Sequence, residues 1–419
     1  MHFPALAAPP PPIRPNFSME YVVTVPTDPY SPIGVETRLQ GGNEIQHVVW
    51  NFGDQVPEAL TASGEIVPQG PGAWRWTPAR IDGTVRYQIA PNHRRNVKGF
   101  DSYRAATWLL TRTSQLFPRK RYLSAHPIRG MSRVTFQLPP DWQVVSAMPA
   151  LAARRFDALP RGSSIAAPYG WLLMGQLDVV QLTIADVAVT LATPKEPTFD
   201  LTPLRETLVR ALPRYQRLFG RLPPTLLVIA GPEPMWHGGL SGEDSLYVSQ
   251  HLPLVSADYT PTLLHELFHV LQGFRKSSVR ADWVVEGLAE YYSLHFARAL
   301  HMITRAEFAK GVAKFDRQAT WRANFSTSTD QRVLYNAAPL LLFYFDQLIR
   351  EHSADQKSLR DVVHAVATAD EISTVGFKQA LAKVLPALDW DRLFQRHVFG
   401  GERPEYEKYL ERLKQPQAR

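Results

Sequence analysis

Within residues 259–292, five side chains are spaced so that together they could hold a metal ion and use it. The run His265-Glu266-Leu267-Phe268-His269 places two imidazoles at i and i+4. On a helix those positions share one face, a turn apart, so both rings reach a single ion. Glu266 sits beside that line, placed to take a proton from a water held by the metal. A catalytic zinc site needs a third protein ligand and leaves its fourth position open. Glu286, in the stretch Trp283-Val284-Val285-Glu286-Gly287-Leu288-Ala289-Glu290-Tyr291-Tyr292, is the candidate. Glu290 follows one helical turn later. A ligating histidine usually gives its second N–H to a carboxylate, and Glu290 is spaced to accept one. The competing reading of Glu290 is a surface acid on a helix.

Two helices must position these groups. Pro261 is suited to the first helical position behind a Thr260 cap. Leu263, Leu264, Leu267, Val270 and Leu271 make the flanks apolar, as a buried helix requires. A second helical stretch, from about residue 283 to 300, carries the carboxylates. The plain alternative is a core helix whose histidines merely find hydrogen-bond partners. His237, His251, His295 and His301 lie near in sequence, but none has metal spacing with the others.

The 419-residue chain has room for two or three cores. It is 45% hydrophobic and 20% charged, an ordinary globular balance. The most apolar stretch, residues 171–193, is broken by Gln176, Asp178, Gln181 and Asp186, so no membrane span is expected. The absence of cysteine excludes disulfides and thiolate metal sites without fixing a compartment. The net charge of +7 gathers between residues 75 and 133, at Arg94, Arg95, Lys98, Arg119, Lys120 and Arg121 among others. No nucleic-acid fold signature accompanies it, so a solvated face is expected and a nucleic-acid partner is not.

Along the chain, residues 1–17 form a Pro- and Ala-rich arm that cannot pack. The arm lacks the basic start and long apolar core of a complete signal peptide, which leaves a cytoplasmic and an exported location both open. Residues 18–195 read as a sandwich of antiparallel sheets. Short branched and aromatic runs at 21–25, 35–39, 47–50, 84–89 and 133–138 are punctuated by Gly, Pro, Asn and Asp. Residues 172–175 and 179–191 read as its last strands. A polar, Pro-bearing bridge at 193–198 sets the expected boundary. Beyond it, 204–219 has helical apolar spacing, 225–230 is a buried strand, 238–244 a loop and 245–249 another strand. The remainder is mostly helical, which makes the class α+β.

These motifs together resemble the gluzincin zinc metallopeptidases, and among them the glycyl aminopeptidase family and its aminopeptidase N-like relatives. The resemblance covers most of the chain. It implies an N-terminal β domain followed by a thermolysin-like catalytic domain, residues 196–419. It also implies one Zn²⁺ per chain, with the Glu before Gly, here Glu286, as third ligand. The interval from His269 to Glu286 is slightly short for the aminopeptidase N-like enzymes, so the loop at 273–282 is expected to be trimmed. Tyr335-Asn336-Ala337-Ala338-Pro339-Leu340-Leu341 resembles the segment whose tyrosine supports the oxyanion, which assigns that role to Tyr335. A core tyrosine beside Phe343 and Tyr344 is the bland reading.

The family also carries a Gly-Gly-Leu-Glu-His or Gly-Ala-Met-Glu-Asn segment whose Glu binds the substrate amine. Gly238-Gly239-Leu240 matches it, but Ser241 takes the Glu position. Glu243 and Asp244 are the candidate substitutes, or else turn residues facing water. Strand 245–249 is expected to offer an edge to an extended peptide. The implied activity is zinc-dependent peptide hydrolysis, with aminopeptidase action expected ahead of endopeptidase action. A catalytically weak, zinc-containing peptide-binding protein is the alternative from another class.

Overall fold

The structure is a computed structural model and is described for residues 15–79, 81–158, 165–272, 281–367 and 372–407. Most of the expected arm and most of the expected trimmed loop lie outside those residues. The chain divides into two compact units. The first comprises residues 1–91, 113–144 and 148–169; the second comprises 92–112, 145–147 and 170–419. The polar bridge at 193–198 is therefore not where the units part. Residues 171–175 and 179–191, expected as the last strands of the first half, belong to the second unit. Sequence period marks a strand but not its partners, which are chosen at long range.

The first unit is a β-sandwich. Strand Phe17–Thr24 buries Phe17, Met19, Tyr21 and Val23 on one face and leaves the alternate residues at the surface. It pairs antiparallel with Ile33–Gln40 and parallel with Gly130–Gln137, inside a seven-stranded sheet. That parallel pair is the exception to the expected antiparallel order. A four-stranded sheet centred on Ile45–Asn51 and Ala73–Pro78 faces it. The two layers meet through aromatic contacts, Trp50 with Tyr87 at 6.2 Å and Phe17 with Tyr122 at 5.4 Å between ring centroids. Trp50 and Trp76 are fully buried, and truncating a buried tryptophan costs about 3–5 kcal/mol.

The second unit holds a five-stranded mixed sheet in the order Leu177–Ile184, Val187–Pro194, Thr225–Gly231, Ser245–Ser249, Gly239–Gly242. Ser245–Ser249 is buried at every position, as an interior strand must be. A second sheet runs through Trp171–Gly175, Trp108–Arg112, Gly99–Arg104 and His93–Asn96.

Helices supply the rest. Thr202–Phe219 opens with Pro203 and ends at Gly220, whose φ of 77° suits a residue without a Cβ. The motif helix is Thr262–Gln272 and the carboxylate helix is Asp282–Ala299. Arg305–Gln318 is capped at Thr304 by a full capping box with Glu307. A π-helical segment, Val333–Ala337, leads into Ala338–His352. Among the described residues no helix is long and apolar enough to cross a membrane.

A candidate metal centre

The motif helix is held at its start and along its buried face. Its Pro261 carbonyl accepts the first helical bond from His265, at 3.1 Å. The expected Thr260 cap is differently employed: its hydroxyl accepts from Lys314 Nζ at 2.9 Å, and Lys314 also pairs with Asp258 at 2.6 Å. Farther along, the Tyr215 hydroxyl donates to the Leu264 carbonyl. The contact comes one residue before His265, and a buried hydroxyl that finds an acceptor fixes its partner's position. Phe268 packs on Phe219 at 5.3 Å and on Tyr292 at 5.8 Å. The carboxylate helix is anchored at its start by Trp283, which is fully buried and donates its indole N–H to Thr374 at 3.0 Å.

These supports bring His265, His269 and Glu286 to one point. The two Nε2 atoms lie 3.0 Å apart. Glu286 Oε2 lies 3.4 Å from His265 Nε2 and 3.2 Å from His269 Nε2. For a tetrahedral zinc with ligand bonds of about 2.0–2.2 Å, ligand atoms should stand roughly 3.3–3.5 Å from one another. The observed triangle is close to that size. Glu286 Oε2 is buried and has no hydrogen-bond partner, an arrangement costly for a structural carboxylate and expected for a ligand. The residues present therefore fit a zinc ion.

The electrostatics agree. Burial works against charge on His265, but Glu290, Glu286 and Glu266 outweigh it and hold its pKa well above an ordinary imidazole. Burial likewise opposes ionisation of Glu286, and the two histidines overcome it, holding the carboxyl well below its usual range. Carboxylates converging on two imidazoles favour positive charge at this point, supplied by protons on the rings or by a cation between them.

Glu290 is buried, not a surface acid, with Oε1 3.2 Å from His265 Nδ1. The angle falls short of a well-formed hydrogen bond, but the carboxylate is in place to orient the ring. Glu266 is buried beside the edge of the five-stranded sheet. A Cβ on Gly239 would come within 2.5 Å of its Cγ, so only glycine lets that strand pass so near. Tyr335 lies on the π-helical segment, its ring 6.0 Å from that of His265 and nearly parallel to it. Burial and then the negative charge of Glu286, Glu266 and Glu290 keep its hydroxyl protonated far above neutrality. Gly287 lets the following helix, Ala338–His352, pack closely, because Ala338 and Leu342 stand 3.0 Å from where a Cβ would be.

The substrate-side expectations divide. Gly238, Gly239 and Leu240 lie at the site, on or next to strand Gly239–Gly242. That strand, and not Ser245–Ser249, is the sheet edge, since the latter lies between two partners. Ser241 shares the Gly239 face. Glu243 and Asp244 do not reach the cluster. They form the two-residue turn at the far end of the hairpin, where Asp244 adopts φ 48°, is buried and accepts from Thr225.

The other histidines resolve into two kinds. His295 packs among Tyr291, Phe308 and Phe343, and burial lowers its pKa to about 4, so it is a neutral core ring. His301 follows the carboxylate helix, its N–H donating to Arg298. His237 and His251, unlinked in the sequence, both approach Glu233 at the surface, which only the folded loop could reveal.

No protein-family model matches the chain, and no curated protein matches it. Solved structures do. An aminopeptidase N family protein from Idiomarina loihiensis aligns over 92% of this chain and 76% of its own, with a TM-score of 0.73 and 14% identity. The M1 zinc metallopeptidase from Deinococcus radiodurans aligns over 97% and 96%, with a TM-score of 0.59 and 14% identity. A mutant of the latter, solved bound to a Tyr-Ser-Ala substrate, aligns over 94% and 95% at 13% identity, with a TM-score of 0.59. With its sandwich, its helical unit and its His-His-Glu triangle, this chain has the fold of the M1 zinc metallopeptidases.

Proposed function

We propose that this protein is a zinc-dependent peptidase. The observation that carries the reading is the buried triangle of His265, His269 and Glu286, with Glu266 and Tyr335 beside it. Zinc, when bound, supplies a Lewis acid that acidifies water and polarises a carbonyl. Glu266 takes the proton of the attacking water and returns it to the leaving amine. The Tyr335 hydroxyl, kept protonated, donates to the oxyanion that develops on the carbonyl. Glu290 holds the His265 ring in orientation. An extended peptide adds to the free edge at Gly239–Gly242 by main-chain hydrogen bonds.

Release of N-terminal residues is the first mode of action to test, because solved structures of this fold include aminopeptidase N family members. A second reading, endopeptidase action, is favoured by Ser241, which brings no carboxylate to the edge strand where an amine would be held. The test is zinc content together with hydrolysis of aminoacyl amides and of amino-blocked, internally quenched peptides. The expected result is about one zinc per chain, retained in Glu266→Ala, whose hydrolysis falls by roughly 10²–10⁴-fold. Zinc bound with no hydrolysis of any peptide by the native chain would leave a peptide-binding protein instead.

A further inference from the structure

Arg112 ends the strand Trp108–Arg112, and its guanidinium carbon lies 4.8 Å from the ring of Trp171, the residue directly across the ladder. Trp171 is fully buried and tied to the active edge. Its indole N–H donates to the Leu240 carbonyl at 3.1 Å, and its backbone N–H donates to Ser245 Oγ at 2.9 Å. A Cβ on Gly242 would stand 2.9 Å from Trp171 Cδ1. The cation thus sits on the ring that bonds Leu240 and abuts Gly242, on the strand whose Gly239 lies against Glu266.

A buried guanidinium normally meets a carboxylate in a paired, bidentate contact. Arg112 has none among the described residues, and its Nε is buried with no hydrogen-bond partner. Asp101, an acid whose charge acts on it, is hydrogen-bonded to His93. Glu266 also acts on it through charge, which places both groups in one electrostatic environment. A second guanidinium, Arg95, lies 5.6 Å from the ring of Trp236, close under Gly238. Cations thus stand on tryptophans at both ends of the edge strand, and position 241 contributes a hydroxyl where a carboxylate would hold an amine.

We propose that Arg112 is a specificity-determining residue that binds a carboxylate of the peptide laid along Gly239–Gly242. The substrates of this chain are then anionic next to the scissile bond and do not depend on a free α-amine. The inference rests on the peptidase reading above. The carboxylate has two sources, an acidic group on the acyl side or the free C-terminus of the leaving side.

The experiment uses one tripeptide core carrying a free amine, an acetyl cap or a succinyl cap at one end, and an amide or a free carboxylate at the other. Hydrolysis is measured with the native chain, Arg112→Gln and Arg112→Lys. The expected native kcat/KM is roughly ten- to a hundredfold higher for one carboxylate form than for its neutral counterpart, the scale of a charge-assisted pair. Arg112→Gln should collapse that ratio to near one, and Arg112→Lys should retain part of it. The responding end identifies the source. A ratio unchanged in Arg112→Gln, or a native preference for the free amine with neutral side chains, overturns the proposal and leaves the peptidase intact. Dissociation constants of the succinyl and acetyl peptides for zinc-loaded Glu266→Gln, with and without Arg112→Gln, separate the two ideas. A binding preference that Arg112→Gln abolishes, in a chain that cleaves nothing, keeps Arg112 and removes the peptidase; equal binding of the succinyl and acetyl peptides, and of their amide and free-carboxylate forms, removes Arg112.

Discussion

In the first unit Lys120 is half-buried with no ion-pair partner among the described residues; its ammonium donates to the Pro118 carbonyl at 3.4 Å and lies 4.7 Å from the Tyr21 ring and 4.5 Å from the Trp50 ring. In the second unit Glu266, Glu286 and Glu290 gather around two imidazoles. Both places put ionisable groups where water would solvate them better. In the sandwich, the surrounding rings return part of the desolvation cost and the charge serves packing. At the triangle the two imidazoles hold Glu286 ionised, yet its buried Oε2 makes no well-formed hydrogen bond. A lone charge satisfied by rings serves packing; acids and imidazoles crowded around one atom that lacks a hydrogen bond leave room for a cation.

The largest test of that contrast is Glu286→Ala, which should weaken zinc binding by on the order of a thousandfold, read by competition with a chromogenic chelator. Retention of full zinc would show that the triangle is not the site. Lys120→Met should act in the opposite sense, stabilising the native chain by about 1–3 kcal/mol at pH 7 in urea unfolding, with zinc content unchanged. Its pH dependence follows from burial, which pulls the Lys120 pKa from 10.5 down to about 7. Between those values the unfolded chain holds a proton that the folded chain has lost. Native stability should therefore rise with pH through that window, and the methionine variant should lose this part of the slope. The smallest effect is expected at Thr304→Ala, which removes a capping box remote from any buried charge and should cost about 1 kcal/mol with zinc affinity intact.

The site is legible in the sequence where chemistry follows local period. The i, i+4 spacings of His265 with His269 and of Glu286 with Glu290 need only a helix, and both helices form. Leu204, Leu208, Ala211, Leu212, Tyr215 and Leu218 announce their helix in the same way, and all are buried. What local period cannot carry is partnership. An apolar run looks the same in the middle of a sheet as at its rim, so the sequence points to Ser245–Ser249 as the edge where the fold uses Gly239–Gly242. Residues 171–191 read as part of the wrong unit for the same reason. Arg112 leaves one trace, a cation closing the apolar run Trp108-Leu109-Leu110-Thr111, but its neighbours Trp171 and Leu240 come from distant parts of the chain. Glu243 and Asp244 stand out by charge alone, and a two-residue turn claims them.

The π-helical segment at Val333–Ala337 sets the direction of Tyr335 by a single residue. Its closing bond runs from the Ala338 N–H to the Val333 carbonyl, five residues back instead of four. One residue more than an α-helical turn is stored there. Each helical residue turns the chain by about 100°. Removing Asn336 would let the turn relax to α-helical and swing Tyr335 by about that angle relative to Ala338–His352, away from the His265 ring. Such a deletion should leave the fold and the His265, His269 and Glu286 triangle in place while moving away the hydroxyl proposed to support the oxyanion.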